Sequence, residues 1–123
     1  MSYLEEKDYR RLNVIEDELR VISQDCDKLR VLKRDILNAE ETYDFYDRVT
    51  LNFYNELEET WARNGGMGHN EITILEQKEL VSKAVYERND FVNEAIGQID
   101  KSIRQLEEKE EELIRERRVI HNN

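Results

Sequence analysis

From Leu12 onward the apolar residues return in alternating steps of three and four: Leu12, Ile15, Leu19, Ile22, Cys26 and Leu29. That spacing is the seam of a coiled coil, where one stripe of a helix faces a partner helix every two turns. Leu32 follows after a second successive step of three, and the line continues through Ile36, Ala39, Tyr43, Tyr46, Thr50, Phe53, Leu57 and Trp61. Two threes in a row form a stammer, which overwinds a helix pair locally. A second line of the same kind begins at Val81 and Val85. It runs through Arg88, Val92, Ile96, Ile99, Ile103, Leu106, Glu110, Leu113 and Arg117 to Ile120.

Between the two lines lie most of the residues that break helices. The chain has no proline, and three of its four glycines are Gly65, Gly66 and Gly68. Proline and glycine ordinarily punctuate helices, so two long segments are left uninterrupted on either side of the cluster. Ser2-x-x-Glu5 and Thr73-x-x-Glu76 have the form of capping boxes. Asn64 and Gly65 tolerate the left-handed conformation that ends a helix. The pattern predicts an all-α chain, a single hairpin of two long antiparallel helices with coiled-coil-like packing. Helix 1 is expected over about 3–63, the turn over about 64–73 and helix 2 over about 74–120. Helices of this length would make a rod roughly 75 to 90 Å long. The register would bring Trp61 near Ile72, Phe53 near Leu80 and Leu12 near Ile120.

The apolar stripe is not equally wide everywhere. Around Leu12 to Leu29 it is narrow, and one partner helix can cover it. Near the turn, Phe45 and Val49 extend it on helix 1, beside Phe53; on helix 2, Leu80, Ala84, Phe91 and Ala95 flank the Val81–Val85–Val92 line. The resulting arc exceeds the ~100° of an ordinary amphipathic face. One hairpin cannot bury both flanks, so a second body is expected to pack there, either another protein or a second copy in a symmetric homodimer. Trp61, the single tryptophan, is expected to plug the closed end of the hairpin and to contact a partner. The expected partner interface is therefore Phe45, Val49, Phe53, Trp61, Leu80, Ala84, Phe91 and Ala95.

Composition narrows the classes of function. With 39% charged and 38% hydrophobic residues the chain could be disordered, but the periodicity of its apolar residues argues for helices. A net charge of -10 disfavours binding to nucleic acid and to anionic membrane surfaces. No stretch approaches the ~20 apolar residues needed to insert into a membrane. The N-terminus lacks the basic start and apolar run of a secretory signal, so the protein is expected in the cytoplasm, and any export, alone or with a partner, would use another kind of signal. Cys26, the single cysteine, reads as a small buried hydrophobe.

No catalytic, cofactor or metal site is expected. His69 and His121 have no second His or Cys at ligand spacing. The glycine cluster has no strand before it and no Gly-Lys-Ser/Thr after it, so it is a turn rather than a phosphate cradle. The run Leu106–Arg118 is acidic first and basic last, and its basic end suits a helix C-terminus near Glu16, Asp17 and Glu18.

A two-helix hairpin with tryptophan at its turn resembles the WXG-type proteins of type VII secretion. In place of their Trp-x-Gly this chain has Trp61-Ala62-Arg63-Asn64-Gly65, and Tyr86…Asp90 fits their Tyr-x-x-x-Asp/Glu export element but lies in mid-helix. A closer resemblance is to the small α-helical accessory proteins associated with LXG toxins of Gram-positive type VII systems. It rests on Leu57-Glu58-Glu59-Thr60-Trp61 before the turn and on Leu106-Glu107-Glu108-Lys109-Glu110-Glu111-Glu112-Leu113 leading into Arg115-Glu116-Arg117-Arg118. The resemblance implies a non-enzymatic adaptor, targeting or chaperone-like protein whose partner is the helical N-terminal domain of such a toxin, a second small helical hairpin, or both. The alternative is a general cytoplasmic coiled-coil hairpin, either a prefoldin-like chaperone subunit or a self-associating structural protein.

Overall fold

The computed structural model describes residues 4–65 and 68–122, with side chains for 4–65 and 72–122. Two helices, α1 (Glu6–Arg63) and α2 (Gly68–Asn122), pack against each other, and the described residues contain no strand. Cross-helix ion pairs fix the direction: Arg11 meets Glu116, Arg30 meets Glu107, Lys33 meets Asp100 and Lys78 meets Glu58. Partner numbers fall on α2 as they rise on α1, so the helices are antiparallel.

Both helix starts differ from the expectation. The Glu5 carbonyl accepts from the N–H groups of Asp8 and Tyr9, at 3.0 and 3.2 Å. The Asp8 carboxylate accepts from the Glu5 N–H at 3.3 Å, so the cap is built on Glu5 and Asp8. Ser2 and Tyr3, where the sequence placed the first cap, lie outside the described residues. α2 begins at Gly68 rather than near Ile74, which puts Thr73 inside the helix instead of at its cap. Gly and Asn each cost a helix only about 1 kcal/mol or less, so Gly68 and Asn70 do not prevent α2 from starting before Thr73. α1 ends as expected. The Asn64 and Gly65 N–H groups donate to the Trp61 and Ala62 carbonyls, the Asn64 side chain donates to the Thr60 carbonyl, and Gly65 turns the chain at φ +93°.

Contacts divide the chain into two units. The distal unit joins residues up to Arg34 with those from Ile96; the loop-proximal unit is Asp35–Ala95. The distal unit holds the hydrophobic cluster Ile15, Ile22, Cys26 and Leu113, with Leu19, Leu106 and Ile120 packed against it. Cys26 is buried there, and burial pushes its thiol pKa up, which keeps it a packed hydrophobe. Arg11 grips Glu116 through two parallel hydrogen bonds of 2.7 and 2.8 Å, holding that carboxyl below its ordinary pKa. Arg117 reaches Glu16 at 2.9 Å, as the charge run suggested.

The stammer expected at Leu29 and Leu32 is not used. After Leu29 the stripe of α1 turned towards α2 steps by four to Lys33, where the expected line stepped by three to Leu32. It runs through Lys33 and Ile36 to Glu40, then Asp47, Leu51, Tyr54, Glu58 and Trp61, all half-buried. Leu32, Ala39, Tyr46 and Phe53, which the sequence placed in the seam, are exposed. Tyr43 stays in step with the observed stripe but is 55% exposed, its ring 5.2 Å from the Arg88 guanidinium. Of the charged members of the stripe, Lys33, Asp47 and Glu58 are each matched by an opposite charge on α2: Asp100, Arg88 and Lys78. On α2 the expected seam is the observed one, since every member from Val81 to Ile120 is buried or half-buried.

Candidate interaction surface

All three buried residues of α1, Ile15, Ile22 and Cys26, lie in its N-terminal part, and none lies beyond Cys26. In the loop-proximal unit the inward stripe of α1 mixes Asp47 and Glu58 with Leu51, Tyr54 and Trp61, while Phe45, Tyr46, Val49 and Phe53 are exposed. Arg88 is the centre of this arrangement. It donates to Asp47 in a very short contact and approaches Asp44 at 3.6 Å, with both Arg88 and Asp47 only 23% exposed. The Asp47 carboxylate raises the Arg88 pKa further, so the guanidinium is charged at any working pH.

With that stripe facing inward, helical geometry assigns the rest. Phe45, Val49 and Phe53 recur at steps of four, and Tyr46 lies beside them. Phe45 is 58% exposed, Val49 51%, Phe53 56% and Tyr46 61%. Phe45 and Tyr46 pack edge to face at 5.8 Å, an aromatic pair displayed rather than enclosed. On α2, Leu80 is 60% and Phe91 70% exposed, and Ala84 between them is exposed as well.

At 3.6 residues per turn, Tyr46 and Phe53 lie about a quarter-turn or more before the inward stripe of α1. Leu80, Ala84 and Phe91 lie on the corresponding side of the inward stripe of α2. In antiparallel helices the same rotational offset points to the same side of the pair, so these residues share one face. Val49 sits at its margin, and Phe45 falls towards the back of α1.

Of the expected interface residues, Phe53, Leu80, Ala84 and Phe91 are thus brought together, with Val49 beside them. Phe45 is exposed but turned further away. Trp61 and Ala95 are half-buried, part of the contact between the helices. Tyr46, which belongs to this face, was hidden from sequence reasoning because the stammer assigned it to the core. Tyr86 (74% exposed), Ile72 and Leu75 are further exposed apolar side chains on α2, turned to the other side.

The depressions on the described surface are open grooves, such as the one along Val21, Ile22 and Leu106 and the one between Asp47, Leu51 and Val85. Among the described residues no group of three or more His, Cys, Asp or Glu is placed to hold a metal ion. None of the described helices is long and apolar enough to cross a membrane.

No curated protein and no solved structure matches this chain. One family model, described as "Protein of unknown function (DUF3958)", matches residues 10–120. That span includes both seams, the turn and the whole exposed face, and the chain belongs to the DUF3958 family.

Proposed function

We propose that this protein is a non-enzymatic adaptor, chaperone-like in action, for a secretion substrate of the type VII kind. It binds the helical N-terminal domain of an LXG toxin by laying its loop-proximal face against a helix of that domain. The observation that carries the reading is the exposure of Tyr46, Phe53, Leu80 and Phe91 on one face, while the stripe between the helices holds Asp47, Glu58, Lys78 and Arg88. A chain with no outside partner would gain by burying the aromatic residues and exposing the charged ones. Helix-on-helix packing supplies the partner's half of such a core. The resemblance to LXG-associated accessory hairpins supports the choice of partner, and a cytoplasmic encounter followed by joint export follows from that choice.

The test is co-expression with the N-terminal domain of an LXG toxin encoded beside it. Val49→Glu and Ala84→Glu, which place a charge on the face, should abolish co-purification, while Glu111→Lys on the distal unit should keep it. Circular dichroism should find all three variants helical. Equal loss from both units, or no loss from the face variants, overturns the reading.

A further inference from the structure

The two units differ sharply in charge. From Asp35 to Ala95 there are 14 aspartates and glutamates against 5 lysines and arginines, a net of -9; the remainder of the chain has 15 against 14, a net of -1. The distal unit pairs its charges across the helices, as Arg11–Glu116, Arg117–Glu16, Arg30–Glu107 and Lys33–Asp100 show. In the loop-proximal unit Arg88 and Lys78 are engaged between the helices. Lys83 lies 4.0 Å from Glu87.

Carboxylates border the apolar face on both helices. Glu56 follows Phe53 by three residues, Glu76 precedes Leu80 by four, Glu87 precedes Phe91 by four and Glu94 follows it by three; all four are exposed. Residues three and four apart are neighbours on a helix surface, so each lies at the edge of the exposed side chains.

We infer that this face takes a basic amphipathic helix, whose apolar residues seat on Tyr46, Phe53, Leu80 and Phe91 while its flanking Lys and Arg reach the carboxylates of the rim. The inference rests on the proposal that this face binds a partner and adds the chemistry of that partner. Charge complementarity selects the occupant. A second copy of the chain would set one net charge of -9 against another, and nearby like charges oppose association. A basic helix instead relieves the self-repulsion of the unit, and the acidic field should speed its arrival.

The test titrates the full chain with three synthetic helical peptides, followed by fluorescence anisotropy. Two share a leucine face and carry either Lys or Glu along its flanks; the third keeps the Lys residues but has serine in place of leucine. The Lys-flanked leucine peptide should bind at least tenfold more tightly than either of the others. Its affinity should fall at least tenfold between about 50 and about 300 mM salt, as screening shortens the reach of the rim charges. Glu76→Lys/Glu87→Lys/Glu94→Lys should weaken it at least tenfold. Glu108→Lys/Glu111→Lys/Glu112→Lys, on the distal unit with the same change in net charge, should not.

Equal binding of the Lys- and Glu-flanked peptides, or equal effects of the two triple variants, overturns the inference. So does equal binding of the serine peptide, which would show charge attraction without an apolar seat. A homodimer in sedimentation that Ala84→Glu dissolves would show that a second copy is the occupant. A toxin domain that binds through Val49 and Ala84 while the peptides show no charge preference overturns this inference alone. A clear peptide preference without toxin binding overturns the adaptor proposal alone.

Discussion

Arg88 shows how one side chain can decide which others are exposed. It occupies a seam position, where an apolar residue would ordinarily sit, and draws Asp47 and Asp44 towards α2. The register that turns Asp47 inward turns Phe53 and Tyr46 outward. Arg88→Leu leaves two carboxylates facing α2 with no neutralising partner, and the expected loss in urea unfolding is about 1 to 3 kcal/mol. Adding Asp47→Leu should recover most of it, because an apolar pair of similar volume often replaces an enclosed ion pair without loss. An unchanged midpoint for Arg88→Leu would show that the pair contributes nothing measurable.

Within α1 two stripes compete beyond Leu29. One is richer in apolar residues and requires a stammer; the other holds Lys33, Glu40 and Asp47 and steps by four from Leu29. The second is the one whose charged members Lys33, Asp47 and Glu58 meet opposite charges on α2. The inward side of α2 carries Lys78, Arg88 and Asp100 where α1 offers Glu58, Asp47 and Lys33. This choice makes large side chains on one helix energetically unequal. Ile22→Ala, in the distal cluster, is expected to cost about 2 to 5 kcal/mol. Phe53→Ala, which removes an exposed ring, should change stability by no more than about 0.5 kcal/mol. Thermal or urea unfolding of the two variants checks this directly, and a large loss for Phe53→Ala would restore the stammered seam.

The chain as a whole combines two units of different character. One has a continuous apolar cluster and nearly balanced charge; the other has dispersed burial at Ile74 and Val92 and a net charge of -9. Local opening is easiest where few apolar contacts are lost. Hydrogen exchange should therefore be at least about tenfold faster at Tyr46–Leu57 and Val81–Phe91 than at Ile15–Leu29 and Ile99–Leu113. Raising salt should slow exchange in the loop-proximal unit by screening its self-repulsion, with little effect on the distal unit. Equal protection in both, or a salt response confined to the distal unit, would contradict this account.

What the sequence determined by itself was the part governed by local spacing. Periodicity of three and four, the absence of proline and the Asn64-Gly65 stop are enough to specify two helices and the turn between them. The α2 seam and the distal core around Ile15, Ile22, Cys26 and Leu113 follow from the same spacing, because there the most apolar stripe is also the one turned inward. Beyond Leu29 they diverge, and local spacing alone favours whichever stripe is more apolar. Only the tertiary structure decided between them, since the outcome depends on charges some 20 to 70 residues away in sequence, Lys78, Arg88 and Asp100. Those pairings satisfy the polar stripe from across the hairpin, and in doing so they put Tyr46 and Phe53 on the outer face.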